Sequence, residues 1–305
     1  MRAAIDIGTN TVLLLIAETR KNKFRVVEEK QHIPRLGKGV DKDKKISDEA
    51  ADRVIHALKD YHDYLDSEFP QLKNIVVTAT SAVRDATNKK SFLEAIKKET
   101  GLDVRILSGP EEAEWTAAGA LSTLNGKASV RSLIIDIGGG STEVVRMRKD
   151  AVIDSHSFDM GSVRFTERFL KSDPPTPDQI SKCREAIRKY FLKRPFEDTS
   201  GHSGIGVAGT CTSLAAILNE TDKYDPVAVN GAKFTLRQLQ GVIHRFAKLT
   251  SGEIESLFPT ILKGRADIIL AGLLILEGFM IHFKLKDLLV STGGIRHGAI
   301  LKTFH

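Results

Sequence analysis

Two short stretches carry the residue types needed to grip a phosphate and a metal ion: 4-AIDIGTNTVLLL-15 and 134-IIDIGGGSTEVV-145. Each runs from an apolar strand through an aspartate and a Gly-containing turn to a hydroxyl. Ile5, Asp6, Ile7 and Gly8 recur as Ile135, Asp136, Ile137 and Gly138, and Thr11 is matched by Ser141. Glycine takes up positive φ and lets the backbone come close to an anion, so that amides converge on it. If the second stretch is a hairpin turning through Gly138, Gly139, Gly140 and Ser141, Ile137 opposes Thr142 and Asp136 opposes Glu143. Opposed residues share a sheet face with Cβ atoms roughly 4.5–5.5 Å apart. Two bare carboxylates that close repel each other. A divalent cation removes the repulsion, and hard oxygen ligands suit Mg²⁺, with Mn²⁺ as the alternative. In the first copy Asp6 opposes Leu13, so no second carboxylate is offered there. Thr9, Asn10 and Thr11 supply hydroxyls and an amide instead, which reads as a phosphate grip, with Asp6 reaching the metal through water.

Further candidates lie between and after these stretches. In 109-GPEEAEW-115, Glu111 and Glu112 fall in the first turn of a helix opened by Pro110. Either can serve as a general base that orients a water at phosphorus, or both can simply complement the helix dipole. Arg84, in 80-TSAVRDATN-88, follows a strand and could stabilise charge on a transferring phosphoryl group; its plainer role is a surface pair with Asp85. The junctions 208-AGTCTS-213, which contains Gly209 and Thr210, and 292-TGGIRHG-298 are strand–Gly–helix passages of the kind that bind phosphate.

The elements that must position these residues come in two similar series. Strands at 2–8 and 11–18 form a hairpin, and 24–33 adds a third strand. Ser47 opens a helix with Val54, Leu58, Tyr61 and Leu65 on its apolar face. A strand at 74–81, a helix at 89–99, a strand at 103–108 and the helix from Pro110 follow. After the turn-rich 125–129 the pattern restarts with strands at 132–138, 142–148 and 151–158. Helices at 177–193, 235–249 and 264–283, a strand at 204–208 leading into a helix near Thr210, and a last strand at 286–291 complete it. The fold class is therefore α/β: a duplicated unit whose two domains, 1–124 and 125–295, face each other across a cleft lined by the Gly turns. The helix over 296–305 packs back on the first domain.

At 305 residues the chain is long enough for two cores, and its composition of 41% hydrophobic and 28% charged residues suits a globular protein. The apolar run 268–283 is broken by Glu277 and too short for a bilayer, so no membrane association is expected. Cys183 and Cys211 have no paired spacing, and the N-terminus lacks a signal-peptide pattern, which suits a cytoplasmic protein. A net charge of +6 fits a polyanionic partner, but no dense basic tract interleaved with aromatics points to nucleic acid. The oligomeric state is left open, a homodimer included.

The motifs together resemble the exopolyphosphatase / guanosine pentaphosphate phosphohydrolase family of the acetate and sugar kinase–Hsp70–actin superfamily. The resemblance rests on 5-IDIGTNT-11, 79-ATSAVRDATN-88, 108-SGPEEA-113, 134-IIDIGGGSTE-143, 159-DMGSVRFTERF-169, 207-VAGTCTSLAA-216 and 293-GGIRHGAIL-301, in order along essentially the whole chain. It implies two ribonuclease-H-like domains with the active site between them. It further implies Mg²⁺-dependent release of a terminal phosphate from inorganic polyphosphate or guanosine pentaphosphate. By motif, Glu112 matches the family's catalytic base, and Asp136 and Glu143 its metal-associated carboxylates. Arg84, Asn10-Thr11, the 138–141 loop and Gly209-Thr210 match phosphate contacts. The chain departs from the family pattern at Glu114, at Ala208 and at Ile295-Arg296-His297-Gly298.

Overall fold

The structure, a computed structural model, describes residues 1–20, 23–220 and 223–304. Its first half runs β1 (Arg2–Ile7), β2 (Val12–Arg20), β3 (Lys23–His32), α1 (Val40–Asp43), α2 (Asp48–Glu68), β4 (Ile75–Ala79), α3 (Ser81–Asp85), α4 (Lys89–Thr100), β5 (Val104–Ile106) and α5 (Gly109–Leu124). The second begins with β6 (Arg131–Ile137), β7 (Thr142–Arg148), β8 (Ala151–Phe158), α6 (Ser162–Phe169), α7 (Pro177–Leu192), β9 (Ser203–Val207) and α8 (Ala208–Leu218). It ends with α9 (Pro226–Val229), β10 (Lys233–Thr235), α10 (Leu236–Phe246), α11 (Ser251–Leu257), α12 (Ala266–His282), β11 (Asp287–Val290) and α13 (Ile295–Thr303).

The strands form two mixed sheets, ordered β3-β2-β1-β4-β5 and β10-β11-β9-β6-β7-β8. Read from the other edge, β8-β7-β6-β9-β11 repeats the path of the first sheet, with an antiparallel meander followed by parallel strands. The α/β duplication expected from the sequence is thus present. The short elements α1, α3, α9, α11 and β10 carry too little periodicity to be anticipated.

Helix starts follow local chemistry. Ser47 accepts from the Ala50 amide ahead of α2, and Ser108, Thr176, Thr235 and Thr250 build capping boxes for α5, α7, α10 and α11. The apolar α12 is buried nearly all round. Its buried acid, Glu277, is met by Arg184 at 2.7 Å and by Gln240. Among the described residues no helix is long and apolar enough to cross a membrane.

The last helix of each half packs on the other half's sheet. Helix α5 lays Ala113, Ala117, Ala120 and Leu124 on Ile134, Val145, Ile205 and Val207. In return α13 lays Ala299 and Ile300 on Ala4, Leu15 and Ala17. The two helices cross at glycines: a Cβ on Gly119 would sit 1.9 Å from the Gly294 carbonyl oxygen, and one on Gly298 would sit 1.8 Å from that of Trp115. This crossing fixes α5, and with it Glu112, relative to both Gly turns.

Candidate active site

The two Gly turns have the same construction. Gly8 donates to the Thr11 carbonyl at 2.9 Å, and Gly138 donates to that of Ser141 at 3.0 Å. The following carbonyls are then tied from behind. Gly138 and Gly139 accept from the Ser162 and Val163 amides, each at 2.9 Å, and Gly140 accepts from Arg164 Nε at 2.6 Å. In the first turn Thr9 accepts from the Gly37 amide at 2.7 Å and Asn10 from that of Arg35 at 3.0 Å. A trans peptide points its N–H opposite its C=O. The amides of Gly139, Gly140 and Ser141, and those of Asn10 and Thr11, therefore face the opposite way, and among the described residues they have no protein acceptor. Such a row of free amides forms an anion-binding nest.

Glycine is needed here for close approach, not for positive φ, which Gly8, Gly138, Gly139 and Gly140 do not adopt. A Cβ on Gly139 would lie 2.8 Å from Thr9 Cβ, and one on Gly140 would lie 2.6 Å from Ser81 Oγ. Thr9 and Ser81 share a hydrogen bond at 3.0 Å. The tip of the first turn is thus packed against the second.

The expected registers hold. Asp136 pairs across the ladder with Glu143, and Asp6 with Leu13. Asp6 and Glu143 are buried and Asp136 is half-buried; each takes a hydroxyl hydrogen bond, and Glu143 takes a second from Ser141. Thr78 donates to Asp6 at 3.0 Å, Thr116 to Asp136 at 3.0 Å and Ser157 to Glu143 at 2.6 Å. Those hydroxyls do not offset the lost hydration. Burial raises Asp6 and Asp136 to about 6 each, and burial together with the neighbouring Asp136 raises Glu143 to about 7.

Neighbouring glutamates part company in the first turn of α5. Glu111 reaches back to the Ser108 amide and hydroxyl and pairs with Arg105, and these contacts hold its carboxyl down at about 2. Glu112 is 7% exposed. Arg84 Nη1 donates to it at 2.8 Å and also to the Leu107 carbonyl at 2.9 Å. Burial raises the Glu112 carboxyl well above its ordinary range; Glu143 and Asp136 push the same way, and Arg84 opposes them. Arg84 lies on α3 and does not pair with Asp85, whose partner is Arg164.

The remaining candidates are placed as follows. Strand β9 runs beside β6 with Val207 opposite Asp136, so Gly209 and Thr210 open α8 beside that carboxylate, Gly209 under Arg265 Nη1. The helix begins two residues earlier than expected, at Ala208, with φ 61°. Asn10 turns its side chain toward the Gly264 carbonyl at 3.5 Å. The 292–298 junction is occupied by the α5–α13 crossing, and Arg296 bonds the Leu14 carbonyl and Glu29. Glu114 is paired with Lys302 at 2.5 Å on the surface. Among the described residues no three acidic, imidazole or thiol side chains form a ready-made metal cage.

Sequence reasoning missed Thr78, Thr116, Ser157, Ser81 and Arg164. Thr116 was within reach of it, since it lies four residues after Glu112 on the same helical face. The others are fixed only by strand register or by contact between the halves.

Two mixed sheets with exchanged helices, and two rows of free amides beside buried carboxylates, define an α/β protein with a polar site between its halves. The sequence pattern of the Ppx/GppA phosphatase family matches residues 15–305, and the chain belongs to that family. It is 34% identical over 286 residues to exopolyphosphatase 2 of Mycobacterium tuberculosis, which covers 90% of this chain and 88% of that one. It is 31% identical to the bifunctional 3-dehydroquinate synthase/phosphatase of Fusobacterium nucleatum, covering 99% of this chain but only 46% of that longer protein. The crystal structure of the Aquifex aeolicus Ppx/GppA family member superposes with a TM-score of 0.81 at 31% identity, covering 99% of this chain and 98% of that one.

Proposed function

We propose that the protein is an exopolyphosphatase that releases terminal orthophosphate from inorganic polyphosphate. The observation that carries the reading is Glu112: a buried carboxyl held by Arg84, beside Asp136 and Glu143, the two carboxylates on the strands that flank the second Gly turn. Membership of a phosphatase family and likeness to a protein named exopolyphosphatase support it.

In this reading the terminal phosphoryl group sits between the two turns. The amides of Gly139, Gly140, Ser141, Asn10 and Thr11 hold its oxygens, and Arg84 faces the charge that spreads over them in the transition state. Glu112 orients a water and takes its proton as the oxygen bonds to phosphorus; the bridging P–O bond breaks and the shortened chain leaves as a phosphate anion. Gly209 and Thr210 extend the grip.

Asp136 and Glu143 fit a divalent cation: two hard carboxylates, Glu143 buried and Asp136 half-buried, share one sheet face, and Arg84 and Glu112 already satisfy each other. A two-carboxylate half-site suits Mg²⁺ or Mn²⁺, ions that keep water and phosphate oxygens as their other ligands, with Asp6 reaching the ion through water. Such an ion would neutralise the two carboxylates and polarise phosphate oxygens.

The deciding experiment measures phosphate release with Mg²⁺ from short polyphosphate, long polyphosphate, guanosine pentaphosphate and ATP, for the wild type and Glu112→Gln. Release from polyphosphate that is lost in the variant supports the proposal. Release mainly from guanosine pentaphosphate moves the substrate and keeps the site. No release from any of the four overturns the hydrolase reading.

A further inference from the structure

Three successive carbonyls of the second Gly turn are tied to helix α6, but not by equivalent groups. Gly138 and Gly139 are held by main-chain amides of α6, which stay in place as long as the helix exists. Among the described residues Gly140 is held only by a side chain, the Nε of Arg164 at 2.6 Å. The Gly140–Ser141 peptide therefore depends on where that guanidinium is. Gly140 has no Cβ, so its flanking peptide can rotate at little steric cost.

The guanidinium is in turn held from across the cleft. Its Nη1 donates to Asp41 at 2.6 Å, and its Nη2 donates to Asp85 at 2.5 Å. Asp41 lies on α1 and Asp85 on α3, both in the first half, while Arg164 is 6% exposed and belongs to the second. Arg168 fixes Asp41 further at 2.6 Å, and Glu167 accepts from the Gly39 amide at 2.9 Å. A planar guanidinium presents its donors in a fixed fork. With Nη1 and Nη2 committed to the two aspartates, Nε has one direction left, toward Gly140. Asp85 directly follows Arg84, so one short helix carries both the Glu112 partner and an anchor of the second Gly turn.

We propose that Arg164 is a positioning residue for phosphate capture: with Asp41 and Asp85 it locks the Gly140–Ser141 peptide so that the Ser141 amide faces the cleft only when the two halves are closed. The inference rests on the reading of Gly138–Ser141 as a phosphate grip, and it makes that grip conditional on closure.

The test compares wild type with Arg164→Lys, which keeps the charge but not the fork, and with Asp85→Asn, which leaves Arg164 and the turn intact. Two readouts are taken well below each variant's melting temperature: kcat and KM on polyphosphate, and the shift of the Ser141 amide resonance on titration with orthophosphate. The expected result is a kcat fall of roughly 10- to 100-fold in Arg164→Lys, as for a misplaced oxyanion donor, with KM changed no more than about 3-fold. A smaller kcat fall is expected in Asp85→Asn, and the Ser141 amide response should be lost in the first variant and weakened in the second. Wild-type kcat in both folded variants, or an unchanged Ser141 response, overturns the inference. If the wild type releases no phosphate from any substrate, the functional reading fails, and the amide titration still decides the role of Arg164.

Discussion

Glu111 and Glu112 are consecutive, yet different arginines hold them: Arg105 meets Glu111 at 2.5 Å on the surface, and Arg84 meets Glu112 at 2.8 Å inside the cleft. The helix turns about 100° between them, so one carboxylate points back to the Ser108 cap and the other toward Asp136 and Glu143. Glu112 is thus the residue whose loss should stop the chemistry. Glu112→Gln keeps the shape and a hydrogen-bonding oxygen for Arg84 but cannot accept the water's proton. The expected outcome is a kcat lowered by about 10²- to 10⁴-fold with the fold intact by circular dichroism. A steady-state assay giving near wild-type turnover would reject Glu112 as the base.

Glu111→Ala makes the opposite experiment. It removes the reach-back contacts to the Ser108 amide and hydroxyl and the pair with Arg105. The expected cost is about 1 kcal/mol of unfolding free energy, as for loss of a capping contact, with kcat within about 3-fold of wild type at a temperature where the protein is folded. Urea titration and the same phosphate-release assay read the two quantities. A large fall in kcat without loss of stability would put Glu111 in the site.

What the sequence made legible follows from distance along the chain. The hairpin registers that set Asp136 opposite Glu143 and Asp6 opposite Leu13 are local, because a tight turn between alternating strands leaves one pairing. The repeat announced the duplicated sheets. The choice between Glu111 and Glu112 was open on spacing alone, since both occupy the first helical turn; the Ser108 capping box and the Arg84 contact separate them. Arg164 stood in a recognisable motif, but its partners are Gly140, Asp41 and Asp85, brought together only by the meeting of the halves. The packing of α5 on the second half's sheet was likewise hidden, because apolar faces do not say which sheet they cover.

The buried carboxylates predict a pH dependence. Glu143 titrates in the folded protein at about 7, above its ordinary 4.5, chiefly through burial and then through Asp136. A group raised in this way contributes stability that is fully present below its unfolded pKa and is lost as pH rises through the folded value. The window is therefore about pH 4.5 to 7, and Asp6 and Asp136, both raised to about 6, act in the same sense. Buried His297, lowered to about 3, works in the opposite sense below its ordinary 6.5, so the carboxylate effect is read as a difference between proteins. Without divalent cation, Glu143→Gln should be more stable than wild type by on the order of 2 kcal/mol at pH 8, with the gain vanishing near pH 4.5. Mg²⁺ should raise the wild-type melting temperature more at pH 8 than at pH 5.5, because it binds the deprotonated pair, and should do little for the variant. An equal Mg²⁺ response in both proteins would remove Glu143 from the cation site.

The crossing of α5 and α13 predicts a sharp contrast between two helical glycines. Helix propensity alone says that glycine to alanine should stabilise a helix interior by roughly 0.5–1 kcal/mol. Gly241, in α10, has nothing within 4 Å of its added Cβ, so Gly241→Ala should show that gain. At Gly119 the same methyl would lie 1.9 Å from the Gly294 carbonyl oxygen and 2.7 Å from its carbon. Both are backbone atoms, so no side chain can rotate away and the helices must separate. Gly119→Ala should therefore cost at least about 2 kcal/mol, the usual range for overpacking. Because α5 carries Glu112 and Thr116, the separation should also lower kcat in the fraction that remains folded. Parallel thermal melts and phosphate-release assays of the two variants check both parts. Equal melting temperatures would mean that the crossing is not the tight contact that sets α5 against the two Gly turns.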